Sequence, residues 1–592
     1  MDHGEGDARG VRAPAFAADG EAPGVVVVGA GPVGLTTALL LARHGVACVV
    51  LDAAPRRGEP AAESKAICQQ RDVLDIWDRV GVASQMLDEG VTWTRARTFY
   101  QGRELFTVEF DDPGESPTPP WVNISQSSTI RYLLAAADRH SLIDVRFGHQ
   151  VVDVEQDDGA VTAEVQGPTG SRRRFRTRWL IAADGSHSTL RRLLHVDFPG
   201  RSFEDQFLIV DIRAQLPFPN ERHFHFDPPW NPGRQVLIHE CPDQLWRIDW
   251  QVPADYDLQA ERASGALDER VRRVVGDAAY EIVWSSVYRF HERLAERFRC
   301  GRVFLVGDAA HLVAPFGARG LNSGIQDADN LAWKLAMVER GVVRGADAEV
   351  LLDSYDDERR AAGVENVAIT TSTMNFLVPA DDPGRRRRQV ILEAAEHDRS
   401  ASAMVDSGKL AEPFPYADSP LTTPLLAGAS PVPRAGDGTD PVPRVGLAPG
   451  SLFPDAPCTV AGRPSVRRVR DLFGSGFVVL TADAAGLARA RAEVASAAER
   501  LRGLGVECYD VTEISCPARK RTLADVTTRE GPRTYVVRPD GHLAACLDAG
   551  GAGTAAAIMR ACGVRRLPFE HDEAGTATAS TGAGTDTAST GA

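Results

Sequence analysis

The 592-residue sequence is poor in lysine and lacks the marks of several protein classes. Its only lysines are Lys65, Lys334, Lys409 and Lys520. No apolar run approaches the roughly 18 residues that a spanning helix needs, and the acidic first 22 residues lack the pattern of a signal peptide. The formal net charge of -15 disfavours nucleic-acid and membrane-surface partners. We therefore expect a soluble, cytoplasmic protein that acts on a small molecule.

The cysteine pattern also excludes two kinds of site. The nine cysteines form no Cys-x-x-Cys pair and show no metal-ligand spacing. An odd number of unpaired thiols is typical of a reducing compartment. We expect reduced cysteines and no metal site.

The pattern of apolar residues and the composition change along the chain, which predicts several domains. Apolar strands alternate with helical patterns from Gly24 onwards, which is typical of an α/β fold. A stretch of alternating, strand-like segments interrupts this pattern, and a segment rich in Pro, Gly and Ala follows it. The predicted divisions are a disordered extension (1–23), a discontinuous α/β domain (24–199 and 290–411), an inserted antiparallel β-sheet domain (200–289), a linker (412–445), a C-terminal βαβ-ββ domain (446–568) and a disordered tail (569–592).

A glycine motif stands where a dinucleotide site requires it. Gly29, Gly31 and Gly34 lie in GAGPVG, directly after four valines and before an apolar helix that starts near Pro32. The first glycine permits a tight turn, the second lets a pyrophosphate approach, and the third allows helix and strand to pack closely. Asp52 closes the next strand, where a carboxylate can accept hydrogen bonds from a ribose.

Two later motifs distinguish FAD from NAD. The sequence reads AADGSHSTLRR around Asp184 and VGDAAHLVAPFGARGLNSGIQDADNLAWKLA around Asp308. Together with GAGPVG, these motifs resemble the three motifs of the class A, single-component flavoprotein monooxygenases. The resemblance is to the aromatic hydroxylase branch that carries a C-terminal thioredoxin-like domain. It implies a Rossmann-like FAD-binding domain, an inserted substrate sheet and a thioredoxin-like unit.

The resemblance implies roles for the residues of the second and third motifs. Asp184 and Gly185 would lie between the pyrophosphate and the nicotinamide nucleotide, with Arg191 following them. Gly307 and Asp308 would hold the flavin side chain, because a carboxylate after a buried strand can accept hydrogen bonds from ribityl hydroxyls.

The segment from Pro315 to Asn322 would border the flavin pyrimidine edge. Reduced flavin carries negative charge on that edge, so the amides of a helix start would stabilise it. Leu321 and Asn322 would act through their backbone, and Pro315 and Gly320 through shape.

The sequence departs from the family pattern at several positions. Lys65 stands where relatives often carry an arginine that contacts FAD, and the two side chains are not equivalent. Gln126 matches a glutamine near the flavin, with capping of the following helix as its alternative. In the C-terminal domain the thioredoxin cysteine pair is missing and Ala545 replaces a frequent aromatic residue. We expect that domain to serve in packing or dimer formation and not in redox chemistry. The protein is expected to be a monomer or a homodimer.

The implied activity is hydroxylation of a phenolic or polyketide-like aromatic ring. In the family, NADPH or NADH reduces FAD, O2 adds at flavin C4a, and the hydroperoxide delivers one oxygen atom to the ring. The same motifs are compatible with Baeyer-Villiger oxidation or epoxidation. A flavin-binding protein without oxygenase turnover is the third alternative.

The substrate pocket of such an enzyme needs a base or proton relay. A phenol with a pKa near 10 is ionised in only about one molecule in a thousand at pH 7, a deficit of roughly 4 kcal/mol. The candidates in the inserted sheet are His223, His225, His239 and Tyr256. His223 and His225 share one strand face by period two, and a structural role is the alternative for each of the four.

Overall fold

The computed structural model describes residues 20–21, 24–55, 66–110, 116, 118–424, 447–516, 521–522, 533–548 and 553–565. Lys65, the tail 569–592 and most of the predicted N-terminal extension and linker lie outside these ranges. No helix in the described ranges is both long and apolar enough to cross a membrane.

The strands account for six sheets in the described ranges. In chain order they are β1 (Gly20–Glu21), β2 (Val25–Val28), β3 (Cys48–Asp52), β4 (Cys68–Gln70), β5 (Val91–Trp93), β6 (Arg95–Tyr100), β7 (Arg103–Glu109), β8 (Trp121–Asn123), β9 (Ile143–Phe147), β10 (Gln150–Gln156), β11 (Val161–Gln166), β12 (Arg172–Thr177), β13 (Trp179–Ala182), β14 (Gly200–Ala214), β15 (Arg222–Phe226), β16 (Gln235–Cys241), β17 (Leu245–Val252), β18 (Tyr280–Leu294), β19 (Arg299–Cys300), β20 (Val303–Leu305), β21 (His311–Leu312), β22 (Thr459–Val460), β23 (Phe477–Thr481), β24 (Val506–Asp510), β25 (Ile514–Cys516), β26 (Arg521–Thr522), β27 (Arg533–Val537) and β28 (Leu543–Asp548).

The α-helices of the same ranges pack on these sheets. They are α1 (Pro32–Arg43), α2 (Arg71–Arg79), α3 (Ala83–Glu89), α4 (Gln126–Asp138), α5 (Thr189–Leu193), α6 (Leu258–Ser264), α7 (Ala266–Val275), α8 (Arg319–Glu339), α9 (Gly345–Leu377), α10 (Asp382–Ala395), α11 (Arg399–Ser402), α12 (Ala484–Ser496) and α13 (Thr554–Ala561).

The first domain is built on a six-stranded sheet of order β19-β20-β13-β2-β3-β9. The strands from β20 to β9 pair in parallel, and β19 adds an antiparallel edge. The four valines of β2 are all buried, as expected for a central parallel strand covered on both faces. This is the predicted Rossmann-like α/β architecture, and α1 begins directly after the turn that leaves β2.

An eight-stranded sheet of order β21-β18-β14-β17-β16-β15-β6-β7 forms the second layer. It is antiparallel except where β15 pairs with β6 in parallel. The sheet contains strands from outside the predicted segment 200–289. β6 and β7 come from the preceding segment, and β18 runs on to Leu294. Alternate burial along β6 shows the period-two pattern of a half-buried strand. The pairings with β15 and β7 place it in this sheet.

One face of the eight-stranded sheet is closed by α6 and α7. Val210, Ile248 and Trp250 point to this face and pack with Leu267 and Val271 of α7. The opposite face carries Phe207, Phe224 and Leu237, which cluster with Phe316 from the loop before α8. Because side chains alternate along a strand, each residue of the sheet can be assigned to the helix-covered face or to this second face.

The C-terminal segment forms a four-stranded sheet of order β24-β23-β27-β28. β23 and β24 are parallel and α12 connects them, whereas β27 and β28 form an antiparallel pair followed by α13. This is the predicted βαβ-ββ order. Its classification as thioredoxin-like stays a prediction.

A buried charge cluster attaches the C-terminal sheet to α8 and α9. Arg538, which follows β27, donates to both carboxylate oxygens of Glu358 on α9, at 2.6 and 2.9 Å. Lys334 of α8 donates to the same carboxylate at 2.7 Å. The side chains of all three residues are fully buried. Burial acts to raise the pKa of Glu358, but Arg538 and Lys334 outweigh it and hold that pKa well below its usual range.

Candidate functional site

The turn between β2 and α1 has the geometry of a dinucleotide-binding loop. Gly29 has φ +108°, and a Cβ there would lie 2.2 Å from the Ala183 carbonyl oxygen. A Cβ on Gly34 would lie 2.0 Å from the Gly29 carbonyl oxygen, so the third glycine is required by close helix packing. Gly31 caps α1 with φ -74°, and a Cβ there would meet nothing within 4 Å. That open space before the free amides of the helix fits a pyrophosphate.

Asp52 lies beside this turn at the end of β3. Its carboxylate accepts hydrogen bonds from the backbone N–H groups of Ala30, at 2.6 Å, and Ala54, at 2.8 Å. These bonds orient the carboxylate next to the loop that Gly29 and Gly31 form. The position fits an acceptor for ribose hydroxyls.

The second motif forms a turn whose aspartate is already hydrogen-bonded. Asp184 accepts from the Ser188 hydroxyl at 2.6 Å and from the Leu190 N–H at 3.0 Å, and Gly185 supplies the positive φ of the turn, +77°. Arg191 is buried and donates to the carbonyls of Ser186, at 3.0 Å, and Ala309, at 2.9 Å. Arg191 therefore connects the second motif with the third.

The third motif begins with a short 3-10 turn at Gly307–Ala309 that Asp327 holds in place. The Gly307 N–H donates to the Asp327 carboxylate at 2.9 Å, and His311 contacts the same oxygen at 2.7 Å. Arg359 donates to the other oxygen at 2.6 Å. Burial acts to raise the pKa of Asp327, but His311 and Arg359 outweigh it and hold that pKa at about 2.

Asp308 is exposed on the turn, as a side chain that receives a ligand would be. Its position after β20 fits the role in holding the flavin side chain that the sequence predicts.

The loop before α8 presents a helix start that lacks a side-chain cap. Ala318, the N-cap residue, has a left-handed backbone with φ +55°. Pro315 is exposed, and the half-buried Gly320 and Leu321 lie in the first turn of α8. The first amides of a helix have no partner within the helix, so this turn is suited to an anionic ring edge.

Asn322 fastens the start of α8 to β4. Its side-chain amide donates to the Cys68 carbonyl at 3.0 Å and to the Ala318 carbonyl at 2.6 Å, and its oxygen accepts from the Gln70 N–H at 3.1 Å. The side chain is therefore fully engaged within the protein. This agrees with a predicted role through the backbone.

Gln126 is the first residue of α4 and accepts a hydrogen bond from the Ala66 N–H at 3.3 Å. The alternative that Gln126 caps the helix is wrong, because Ser125 is the N-cap and accepts from the Ser128 N–H at 3.0 Å. Lys65, the neighbour of Ala66, lies outside the described residues.

Two of the four proton-relay candidates lie on the helix-covered face of the eight-stranded sheet. His223 and His225 pair with Ile238 and Val236, so they share one face, which is the face of Trp246 and Trp250. His225 stacks on Phe99 with ring centres 4.5 Å apart, and burial lowers its pKa to about 3. These two histidines therefore lie on the face opposite Phe316 and the loop before α8.

Tyr256 also lies on the helix-covered side. Its hydroxyl donates to Glu261 of α6 at 2.8 Å, and it packs against the cluster that α7 covers. Burial and the Glu261 carboxylate raise its pKa. The structure thus gives Tyr256 a partner away from the cofactor loops.

His239 is the candidate on the second face of the sheet, the face that carries Leu237 and packs against Phe316. Its Nδ1 lies 4.0 Å from the sulfur of Cys68, the residue whose carbonyl Asn322 binds. Burial lowers the pKa of His239 well below its usual value, and the nearby cations Arg222 and Arg247 add to this effect. His239 is therefore a neutral, buried imidazole beside the start of α8.

A row of charged side chains crosses this second face next to His239. Arg247 stands opposite His239 on β17, and Asp211 stands opposite Arg247 on β14. Arg247 binds Asp211 through two hydrogen bonds of 2.8 Å. Arg222, one residue before His223 on β15, extends the row on the other side of His239.

Arg222 is a buried cation on which the Asp406 carboxylate acts electrostatically. It is 5% exposed, donates to the Ser407 carbonyl at 2.7 Å, and forms no ion pair within the described part of the chain. Burial lowers its pKa to about 10. Such a group favours an anionic ligand, because a buried charge that lacks a direct ion pair is costly.

The residues predicted from the sequence do not include Arg222, Arg247, Asp211 or Asp249. A signal was present in LWRIDWQV, where charged residues alternate with Trp246, Ile248 and Trp250 along one strand. A strand whose second face is charged and still buried is typical of a functional surface.

The fold and the site define a class. A Rossmann-like sheet with a glycine turn, an aspartate beside that turn and a helix start without a side-chain cap, together with a separate β-sheet layer, is the arrangement of a flavin-dinucleotide-binding protein. Residues 23–370 match the family described as FAD binding domain. The chain belongs to this family, and its cofactor is FAD.

Curated relatives of the chain include aromatic hydroxylases. It is 31% identical over 377 residues to the 3-(3-hydroxy-phenyl)propionate/3-hydroxycinnamic acid hydroxylase of Comamonas testosteroni, covering 62% of this chain and 61% of the relative. It is 31% identical over 398 residues to the para-nitrophenol 4-monooxygenase of Pseudomonas sp. (strain WBC-3), covering 64% and 93%. The match thus spans about three fifths of the hydroxyphenylpropionate hydroxylase.

A solved structure extends the likeness to nearly the whole chain. The flavin-dependent monooxygenase PieE, in complex with FAD and substrate, superposes with a TM-score of 0.76 at 24% identity, covering 91% of this chain and 99% of PieE. At this identity the likeness establishes the fold.

Proposed function

We propose that the chain is an FAD-dependent monooxygenase that hydroxylates a phenolic or polyketide-like aromatic ring with NADPH or NADH and O2. The observation that carries the proposal is the buried, charged sheet face beside the start of α8. Relatives that match the first domain are hydroxylases of small phenols, which supports the same class of substrate.

The chain's own residues would divide the work. Gly31 and the first amides of α1 would bind the FAD pyrophosphate, Asp52 the ribose, and Asp308 the ribityl chain. The start of α8 near Ala318 would stabilise negative charge on the ring edge. When bound, FAD supplies the redox chemistry that activates O2.

The sheet layer would orient the substrate and exclude water. Phe207, Phe224 and Leu237 pack with Phe316 in a buried apolar cluster, and the row that contains His239 would offer polar contacts beside it. An aromatic ring with an acidic hydroxyl matches both parts of this surface, since one needs apolar contact and the other a partner for its charge.

The test is turnover by purified, FAD-loaded protein. NADPH and NADH oxidation would be followed with 3-(3-hydroxyphenyl)propionate, para-nitrophenol and a set of polycyclic phenols, and the products would be analysed by mass spectrometry under 18O2. We expect substrate-dependent oxidation and a product that gains one labelled oxygen on an intact ring. A product with oxygen inserted into the ring would indicate Baeyer-Villiger oxidation, and an epoxide product would indicate epoxidation. NADPH or NADH oxidation that no aromatic compound accelerates would contradict the proposal.

A further inference from the structure

One carboxyl group lies on the second face of the eight-stranded sheet, the face that carries Leu237 and His239. Asp249 lies on β17, two residues after Arg247 and therefore on the same face. It stands opposite Leu237, which packs in the cluster that contains Phe316. Asp249 is thus placed between the apolar contact with the cofactor loop and the charged row.

Asp249 is also incompletely satisfied. Its Oδ1 is shielded from solvent and has no hydrogen-bond partner within the described residues. Buried carboxylate oxygens are normally paired, and those that are not are often functional. Burial raises the pKa of this carboxyl to about 7, with Arg247 lowering it and Asp211 raising it.

The groups around Asp249 converge on the start of α8. Burial raises the pKa of the Cys68 thiol to about 12, and Arg222, Arg247 and Asp249 all act on that thiol electrostatically. The Cys68 carbonyl is bound by Asn322 at 3.0 Å. The carboxyl and the two cations therefore surround a residue in direct contact with the predicted flavin-binding turn.

We propose that Asp249 is the catalytic base that removes the hydroxyl proton of a phenolic substrate, and that Arg222 binds the resulting phenolate. This inference rests on the proposed function. In the step, the phenol O–H bond breaks, its electron pair stays on the phenolate oxygen, and the proton forms an O–H bond with Oδ1 of Asp249. No electron is transferred.

The charges favour this transfer in two ways. A carboxylate that titrates near neutral pH is a far better proton acceptor than an ordinary aspartate and is still ionised in part at pH 7. Arg222 forms no ion pair within the described residues, and the Asp406 carboxylate acts on it only electrostatically, so its guanidinium stabilises an anion that forms beside it. The neighbouring His239 is neutral and adds no competing charge.

The experiment compares Asp249→Asn with a matched control. Glu240→Gln changes a carboxyl of the adjacent strand whose Oε2 is likewise buried without a partner and whose pKa burial also raises, but which points to the helix-covered face. Each FAD-loaded variant and the wild type would be assayed with 3-(3-hydroxyphenyl)propionate, whose phenol is un-ionised at pH 7, and with para-nitrophenol, whose nitro group makes the hydroxyl far more acidic.

We expect Asp249→Asn to lower kcat/KM for the un-ionised phenol by roughly 10²- to 10⁴-fold and for para-nitrophenol by less than about tenfold, because an ionised substrate needs no base. Glu240→Gln should match the wild type with both. In the wild type, kcat/KM for the un-ionised phenol should rise as pH increases through about 7, and this limb should be absent in Asp249→Asn.

Other results would separate the two proposals. Equal losses with both substrates, or an unchanged pH limb, would assign Asp249 a structural role and overturn the inference while leaving monooxygenase activity intact. Failure of the wild type to hydroxylate any phenol in the set would overturn the proposed function and this inference together.

Discussion

The glycine turn allows the roles of two neighbouring glycines to be separated by the same substitution. Gly31→Ala places a methyl group in open space, at a backbone φ of -74° that alanine adopts readily. Gly34→Ala places it 2.0 Å from the Gly29 carbonyl oxygen. The first change should affect the cofactor alone, and the second should affect the fold.

The expected magnitudes follow from these distances. For Gly34→Ala the backbone must separate by roughly 1 Å, and overpacking of this kind costs about 1–3 kcal/mol or more. It would also disturb the 2.7 Å hydrogen bond from the Gly29 N–H to the Leu51 carbonyl. For Gly31→Ala the apo-protein should stay within about 0.5 kcal/mol of wild type. Loss of one charge-assisted phosphate contact, about 1.5–3 kcal/mol, would weaken FAD binding roughly 10- to 100-fold.

Two measurements on each variant decide the matter. Denaturant unfolding of the apo-protein reports the free energy of unfolding, and quenching of flavin fluorescence during titration reports the Kd for FAD. We expect Gly31→Ala to change only the Kd and Gly34→Ala to lower both stability and binding. Wild-type affinity in Gly31→Ala would refute the placement of the pyrophosphate, and wild-type stability in Gly34→Ala would refute the packing argument.

Two further predictions concern buried charges. Glu358→Gln should lower the free energy of unfolding by about 3–5 kcal/mol, because Lys334 would keep its buried charge without an ion-pair partner among the described residues and Arg538 would keep only Asp540. Denaturant midpoints should show this loss, with Glu109→Gln, in an exposed ion pair, as a control expected to cost at most about 1 kcal/mol. Asp327 has a folded-state pKa of about 2, below its unfolded value, so its contribution of about 2–3 kcal/mol is present above about pH 4 and is lost as pH falls towards 2. Apo-protein unfolding at pH 5 and pH 3 should show that loss, and an equal slope in Asp327→Asn would contradict it.

The local parts of the cofactor site could be predicted from the sequence. Gly29, Gly34 and Asp52 depend on backbone geometry within one strand-turn-helix unit, so their spacing carries the information. The faces of the second sheet could not be predicted in the same way. HFHF shows that His223 and His225 share a face, but the register of β15 against β16 decides which face that is.

The charged residues of the site could not be predicted from the sequence for a related reason. Arg222 and Arg247 lie on different strands and meet beside His239 only through the sheet register. The parallel pairing of β15 with β6 joins segments more than a hundred residues apart. No pattern within either segment specifies such a pairing, so Asp249 becomes a candidate only once the sheet is assembled.

The C-terminal unit is linked to the cofactor loop through two adjacent residues of α9. Glu358 accepts hydrogen bonds from Arg538 of the C-terminal sheet, and Arg359 binds Asp327, which in turn holds the Gly307 N–H. A rigid helix that carries both contacts transmits a displacement at one to the other. Glu358→Gln should therefore weaken FAD binding as well as stability, although the residues of the third motif that Glu358 contacts, Asn330 and Lys334, lie outside the segment from Pro315 to Asn322. An FAD Kd unchanged in a variant that has lost several kcal/mol of stability would show that the two units are joined without being coupled.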